Sequence, residues 1–207
     1  MRILGIDPGI RSTGWGVIEQ SDNRLRHIAN GVIKPNPDLA DAARLHCIAV
    51  GVAEAIAAYH PDAAAIEEIF VAKSAASALK LGMARGVAMM RCGEASVPLV
   101  EISARRVKKS VAGTGTADKR QMQDMVERLL GIRAANSDAA DALAIAIAAS
   151  HDFAPFGLQM AEANRTGNQA ASGLGSAPAG GAESGRKSGL TTAIERALAR
   201  DVREDGR

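Results

Sequence analysis

The sequence predicts an α/β fold: a five-stranded mixed sheet, its first three strands antiparallel, flanked by helices. Three observations carry this. Residues 1–34 hold three strand-like runs separated only by turn residues. Beyond them, long stretches with a three-four apolar rhythm alternate with short apolar runs. The chain, 207 residues and 47% hydrophobic, supplies one core of about 150 residues plus an appendage.

The first run, Arg2-Ile3-Leu4-Gly5-Ile6-Asp7-Pro8-Gly9, is an apolar strand that ends on a carboxylate and breaks into a Pro-Gly turn. Asp7 therefore sits at the carboxyl end of a central strand, where sheet enzymes place their sites, although an aspartate there also serves as a turn cap. Thr13–Glu19 and Leu25–Lys34 follow as strands joined through Ser21-Asp22-Asn23, giving an antiparallel meander. Asp38 reads as the cap of a crossover helix whose Leu45, Ile48, Val52, Ile56 and Tyr59 recur at helical spacing up to His60-Pro61. The run Ala63–Phe70 then reads as a strand parallel to the first. Glu67 and Glu68 point to opposite faces of it, and period alone does not say which faces a site.

A second helix is expected from Ser74 to Gly93, with Leu79, Met83, Val87 and Met90 as its buried stripe and small residues around Gly82 that suit close approach by another helix. Lys73, Ser77, Lys80 and Arg91 share another face, either solvated or a phosphate track. Val97–Glu101 is the fifth strand, followed by a basic helix carrying Arg105, Lys108 and Lys109 on one side. After Gly113-Thr114-Gly115-Thr116, a helix opened by Lys119 and Arg120 keeps Met122, Met125, Val126, Leu129 and Leu130 on its stripe until Gly131. Its N-terminal N–H groups favour an anion. The last core helix starts near Asn136-Ser137 and places Asp138 and Asp141 on one face. One such aspartate serves a helix start. Two among alanines and aliphatics need a cation to balance them.

From Asp152 the composition turns to Gly, Ser, Ala and Asn. Residues 152–207 are expected to be a largely disordered tail, with a short frayed helix near 191–204 where Thr192 and Glu195 form a capping-box pattern. The domain is thus expected over residues 1–151.

Charge is unevenly spread although the net is only +2. Residues 1–72 carry 6 basic and 9 acidic groups, 73–121 carry 10 and 3, and 122–207 carry 9 and 11. A basic middle block suits a polyanion such as a phosphate backbone, and equally a plain solvated face. Cys47 and Cys92 stand far apart, which argues against a disulfide framework or a structural zinc site. No apolar run reaches about 18 residues and no leader pattern follows Met1, so a soluble, cytoplasmic protein with no membrane partner is expected.

Four acidic positions, Asp7, one of Glu67-Glu68, Asp138 and Asp141, require a common reason. Clustered carboxylates repel, and a hard divalent cation with oxygen ligands relieves them. The chain has no Ser-His-Asp candidate, no G-x-x-x-x-G-K-[ST] loop and no G-x-G-x-x-G after a strand. Metal-assisted hydrolysis is the chemistry that remains.

On these residues the chain resembles the RuvC family of Holliday-junction resolvases, within the ribonuclease H-like superfamily. The resemblance runs through Gly5-Ile6-Asp7-Pro8-Gly9 and Thr13-Gly14-Trp15-Gly16, then Ala65-Ile66-Glu67, Ala72-Lys73 and Ser77–Gly82. It continues through Val107-Lys108, Gly113-Thr114-Gly115 and Lys119 to Asp138–Ile147. It implies a ribonuclease H-like fold and an acidic tetrad of Asp7, Glu67, Asp138 and Asp141 holding two Mg²⁺ ions, with Mn²⁺ able to substitute. It further implies DNA contacts by Lys108 and Lys119 near the scissile phosphate and by Phe70 stacking at the strand-exchange point, and the basic faces carrying Lys73, Lys80 and Arg105 are expected to add to them. The implied substrate is a four-way DNA junction, cut symmetrically by a homodimer that cooperates with the branch-migration proteins RuvA and RuvB. Glu68 and Ser74 depart from the Gln and Asn of the family pattern.

Two other classes are distinguishable. An actin-like or sugar-kinase-fold ATPase shares the look of Asp7-Pro8-Gly9 with Thr13-Gly14 but needs a second similar lobe, and only one such stretch exists here. A non-catalytic junction-binding protein would be indifferent to Asp7→Asn.

Overall fold

A computed structural model describes residues 1–22, 24–68, 74–151 and 153. Strands β1 (Arg2–Asp7), β2 (Thr13–Ser21) and β3 (Arg24–Ile33) come first. They are followed by helix α1 (Asp41–Tyr59), β4 (Ala63–Glu67), α2 (Ala75–Glu94), β5 (Leu99–Ile102), α3 (Ala104–Ala112) and α4 (Lys119–Leu130). A last helix, α5, covers residues 137–151. The strand order is β3-β2-β1-β4-β5. β1 is antiparallel to β2 and parallel to β4, β2 is antiparallel to β3, and β4 is parallel to β5. This is the five-stranded mixed sheet the sequence predicts, with β1 at its centre.

Alternation along β1 divides the core. Leu4 and Ile6, with Val17, Ala64 and Ile66, pack against Ile48, Val52 and Ile56 of α1 and Ala84, Ala88 and Cys92 of α2. Ile3, Ile18, Ala63 and Ala65 face the opposite layer, where α3 contributes Val107 and Val111, α4 contributes Met122, Val126 and Leu130, and α5 contributes Leu143 and Ile147. Each fully buried isoleucine or leucine contributes about 1.5–3 kcal/mol.

Helix α5 is buried on nearly every side, with Ala139, Ala140 and residues 142–149 all in the core, a pattern that requires neighbours all round. Glycines on the sheet make this possible. A Cβ on Gly5 would lie 2.0 Å from the carbonyl oxygen of Ala142, and one on Gly14 would lie 2.1 Å from that of Asp138. The register pairs Gly5 with Gly16 and Asp7 with Gly14, so the side-chain-free positions share the face on which α5 lies.

Three expectations are corrected. Asp38 does not cap α1: the N-cap is Ala40, with no side-chain bond, and the Asp38 N–H instead donates to Asn36 Oδ1 at 3.0 Å within the preceding turn. The buried stripe of α2 is Ala84, Ala88 and Cys92, whereas Leu79 is 66% and Met90 50% exposed. Small residues allow α2 to lie close on its own chain, and the large ones turn outward. On α4, Leu129 is exposed while Met122, Val126 and Leu130 are buried.

Helix α1 is long and apolar enough by composition to cross a membrane, yet its Ile48-Val52-Ile56 stripe is packed on the sheet. Phe153 is buried in the core. The rest of the predicted tail, including the segment near 191–204, lies outside the described residues.

Candidate active site

The site forms where β1 and β4 end beneath the start of α5. Pairing of Gly5 with Ala65 and Ile6 with Ile66 puts Glu67 on the next rung from Asp7, and period two puts it on the Ile3 and Ala65 face. Glu68 lies on the other side of the pleat and is exposed, its N–H donating to the Ile102 carbonyl. Helix α5 begins with Asn136, whose Oδ1 accepts from the Ala139 N–H at 2.9 Å. That cap frees Asp138 and Asp141 to point at β1. One carboxylate oxygen each from Asp7, Asp138 and Asp141 lie within 4.8 Å of one another. Glu67 stands outside that trio but lines the same cavity of about 220 Å³, together with Asp7, Asp141, Lys108, Lys119, Val107 and Met122.

The electrostatics follow from crowding in a half-buried place. Burial, then repulsion from Asp141, Glu67 and Asp138, pushes the Asp7 carboxyl up to about 7, with Lys119 opposing. Burial and then Asp141 raise Glu67, and Lys108 pulls it back. Lys119 Nζ lies 3.0 Å from Asp141 Oδ2, and that hydrogen bond holds the ammonium above its ordinary range. Oxygen donors that repel one another this strongly are the set a hard divalent cation neutralises, and the cluster is suited to one.

Lys119 is delivered by the start of α4, where Asp118 and Gln121 form a reciprocal capping box. Lys108 comes from α3. Arg105 is exposed on α3 and its side chain packs over Gly115. Lys80 lies on α2, in the layer beneath the opposite face of the sheet, and pairs with Asp41 at 3.3 Å. Phe70 and Lys73 lie outside the described residues.

Nothing in the sequence singles out three further groups. Arg85 Nε donates to the Glu67 carbonyl at 3.1 Å, and its guanidinium pairs with Glu101, tying the end of β4 to β5. Ser12 and Ser137 both donate to the Asp138 carboxylate. Only the G-x-G of Gly14-Trp15-Gly16 hints at the site, since glycine at period two in a strand marks a close backbone approach.

A family model described as crossover junction endodeoxyribonuclease RuvC matches residues 3–149. Curated relatives so described include one from Hyphomonas neptunium, 56% identical over 153 residues, spanning 73% of this chain and 91% of that protein. Another, from Paramagnetospirillum magneticum, is 53% identical over 152 residues, spanning 73% and 92%. Among solved structures, T. thermophilus RuvC in complex with a Holliday junction substrate aligns with a TM-score of 0.68 at 35% identity, over 72% of this chain and 92% of that one. A yeast mitochondrial Holliday junction resolvase, 14% identical with a TM-score of 0.51, shares the fold. With the matched segment running from β1 through α5, and so across all four acids, this chain belongs to the RuvC family of crossover junction endodeoxyribonucleases.

Proposed function

We propose that this chain is a structure-specific DNA endonuclease that resolves four-way junctions by two symmetric cuts in strands of like polarity, in recombination and repair, with residues 1–151 as its nuclease domain. The observation that carries this is the convergence of Asp7, Asp138 and Asp141 within 4.8 Å beside Glu67, Lys108 and Lys119. In this reading the four acids hold two Mg²⁺ ions, with Mn²⁺ able to substitute. When bound, the ions supply an activated water and stabilise the leaving 3′ oxygen, giving 5′-phosphate and 3′-hydroxyl ends. The acids orient; Lys108 and Lys119 draw the scissile phosphate to the mouth and neutralise its charge. Phe70, Lys73, Lys80 and Arg105 extend the DNA contacts, Lys80 by leaving its pair with Asp41.

A symmetric junction presents two equivalent phosphates, and each chain offers one acid cluster among its described residues, so the working form is a homodimer. The outward stripe of α2, with Leu79 and Met90 exposed and Met83 and Val87 half-buried beside them, supports α2 as the interface. Leu79→Glu combined with Met90→Glu is expected to yield a folded monomer by light scattering with greatly reduced paired cutting; an unchanged dimer would move the interface elsewhere. RuvA and RuvB are the proposed partners on the junction, and the cytoplasm the proposed place.

The reading is tested by incubating the protein with a synthetic four-way junction and a matched linear duplex, with Mg²⁺ or EDTA. Symmetric nicks are expected in the junction with Mg²⁺ alone, and their absence overturns it. The raised Asp7 carboxyl adds a pH signature. Metal binding must displace its proton below pH about 7, so apparent Mn²⁺ affinity should fall by up to about tenfold per pH unit there and level off above. A Mn²⁺ titration across that range checks it.

A further inference from the structure

The turn between β1 and β2 is more tightly built than a connection needs to be. Thr13 is fully buried, and its hydroxyl donates to the Gly9 carbonyl at 2.8 Å and accepts from the Gly9 N–H at 3.3 Å. Arg44, itself 7% exposed, reaches from α1 to donate to the Ile10 carbonyl at 2.9 Å. A Cβ on Gly9 would lie 2.5 Å from the Ser12 carbonyl oxygen, so the turn closes tightly on itself. Ser12, next to the buried Thr13, is therefore held on a rigid support, and its hydroxyl donates to Asp138 Oδ2 across 126 positions of sequence. The other oxygen of that carboxylate accepts from Ser137 at 3.3 Å. With the Asp138 backbone pressed on Gly14, main chain and side chain are both located by the β1–β2 unit.

We propose that Ser12 is a positioning residue for the divalent-ion site, its hydroxyl fixing the plane of the Asp138 carboxylate so that Asp7, Asp138 and Asp141 converge before an ion arrives. The inference rests on the metal-dependent reading given above and deepens it. A donor behind a ligating carboxylate orients it and lowers the cost of assembling the donor set, and loss of such a partner typically weakens metal affinity about tenfold or more. Threonine retains the hydroxyl; alanine does not.

The experiment titrates Mn²⁺ into the full-length protein without DNA, following free Mn²⁺ by electron paramagnetic resonance, for wild type, Ser12→Ala and Ser12→Thr, with the metal-free melting temperature of each. Ser12→Ala is expected to bind Mn²⁺ about tenfold more weakly, with Ser12→Thr restored to within about threefold of wild type and metal-free melting closely similar in all. The same shift should appear in the Mg²⁺ concentration that half-saturates junction cutting. Wild-type binding with an unchanged Ser12→Ala affinity overturns the positioning role alone, as does a Ser12→Thr protein no better than Ser12→Ala. A wild type that takes up no Mn²⁺ removes the metal reading and this role with it.

Discussion

Asp7→Asn should abolish Mg²⁺-dependent junction cutting, by about 10³-fold or more, while junction binding in EDTA persists, and it should make the metal-free protein more stable. Both effects have one cause. The Asp7 carboxyl, raised from 3.8 to about 7 by burial and by three neighbouring acids, is costly to ionise without a cation. Because the folded value lies above the unfolded one, this group's contribution to metal-free stability is present at low pH and is lost as pH rises from about 4 to about 7. Asparagine has no such slope. At pH about 8, Asp7→Asn should therefore raise metal-free stability by about 2–4 kcal/mol, several degrees of melting temperature. Saturating Mg²⁺ should stabilise wild type and not the variant. Measurement is by gel assay with a labelled junction and by thermal melts at several pH values. A variant that still cuts at the wild-type rate would remove Asp7 from the chemistry, and one that melts lower than wild type in EDTA would contradict the crowding.

Gly5→Ala should be the most disruptive single-methyl change in the sheet. The added Cβ would lie 2.0 Å from the Ala142 carbonyl oxygen and 2.7 Å from the Ala146 nitrogen, both backbone atoms of α5. Neither can turn aside as a flexible side chain would. The helix must lift, at a cost of about 3 kcal/mol or more, and the melting temperature should fall by roughly 10 °C. Because α5 carries Asp138 and Asp141 while β1 carries Asp7, the lift also separates these carboxylates. A displacement of about 1 Å costs about 100-fold in rate, so cutting should fall even where most of the protein remains folded. Wild-type melting by Gly5→Ala would show that α5 does not rest on this part of β1.

Much of this architecture is legible in the residues, and what is not has a physical reason. β1, β2 and β3 announce themselves because Pro8-Gly9 and Ser21-Asp22 interrupt otherwise continuous strand-formers. Helix α4 is marked at its far end by Gly131, which takes a φ of 64° that other residues adopt at a cost. β4 conceals its faces: in Ala63-Ala64-Ala65-Ile66 both sides are apolar, so alternation has no polar side to display, and Glu67 is separated from Glu68 by register with β1 or by family resemblance. Helix α2 misleads because alanines carry little hydrophobic signal, so that Leu79 and Met90 outweigh Ala84 and Ala88 although the small residues are the ones buried. Ser12 and Asp138 are unreadable as a pair, since their contact exists only through the passage of α5 over the sheet.

The supports of the acidic residues differ in mechanical character. β1 is hydrogen-bonded to a strand on each flank, and β2 in turn has β3 beyond it, whereas β4 has beyond it only the four-residue edge strand β5, with Arg85 as a buttress. Asp7 thus stands on the central strand with two strands on either side, and Glu67 on a strand one step from the sheet edge. In the proposed nuclease, Glu67 is therefore the acid expected to yield to differences between junction sequences, with Asp7, Asp138 and Asp141 expected to keep their spacing.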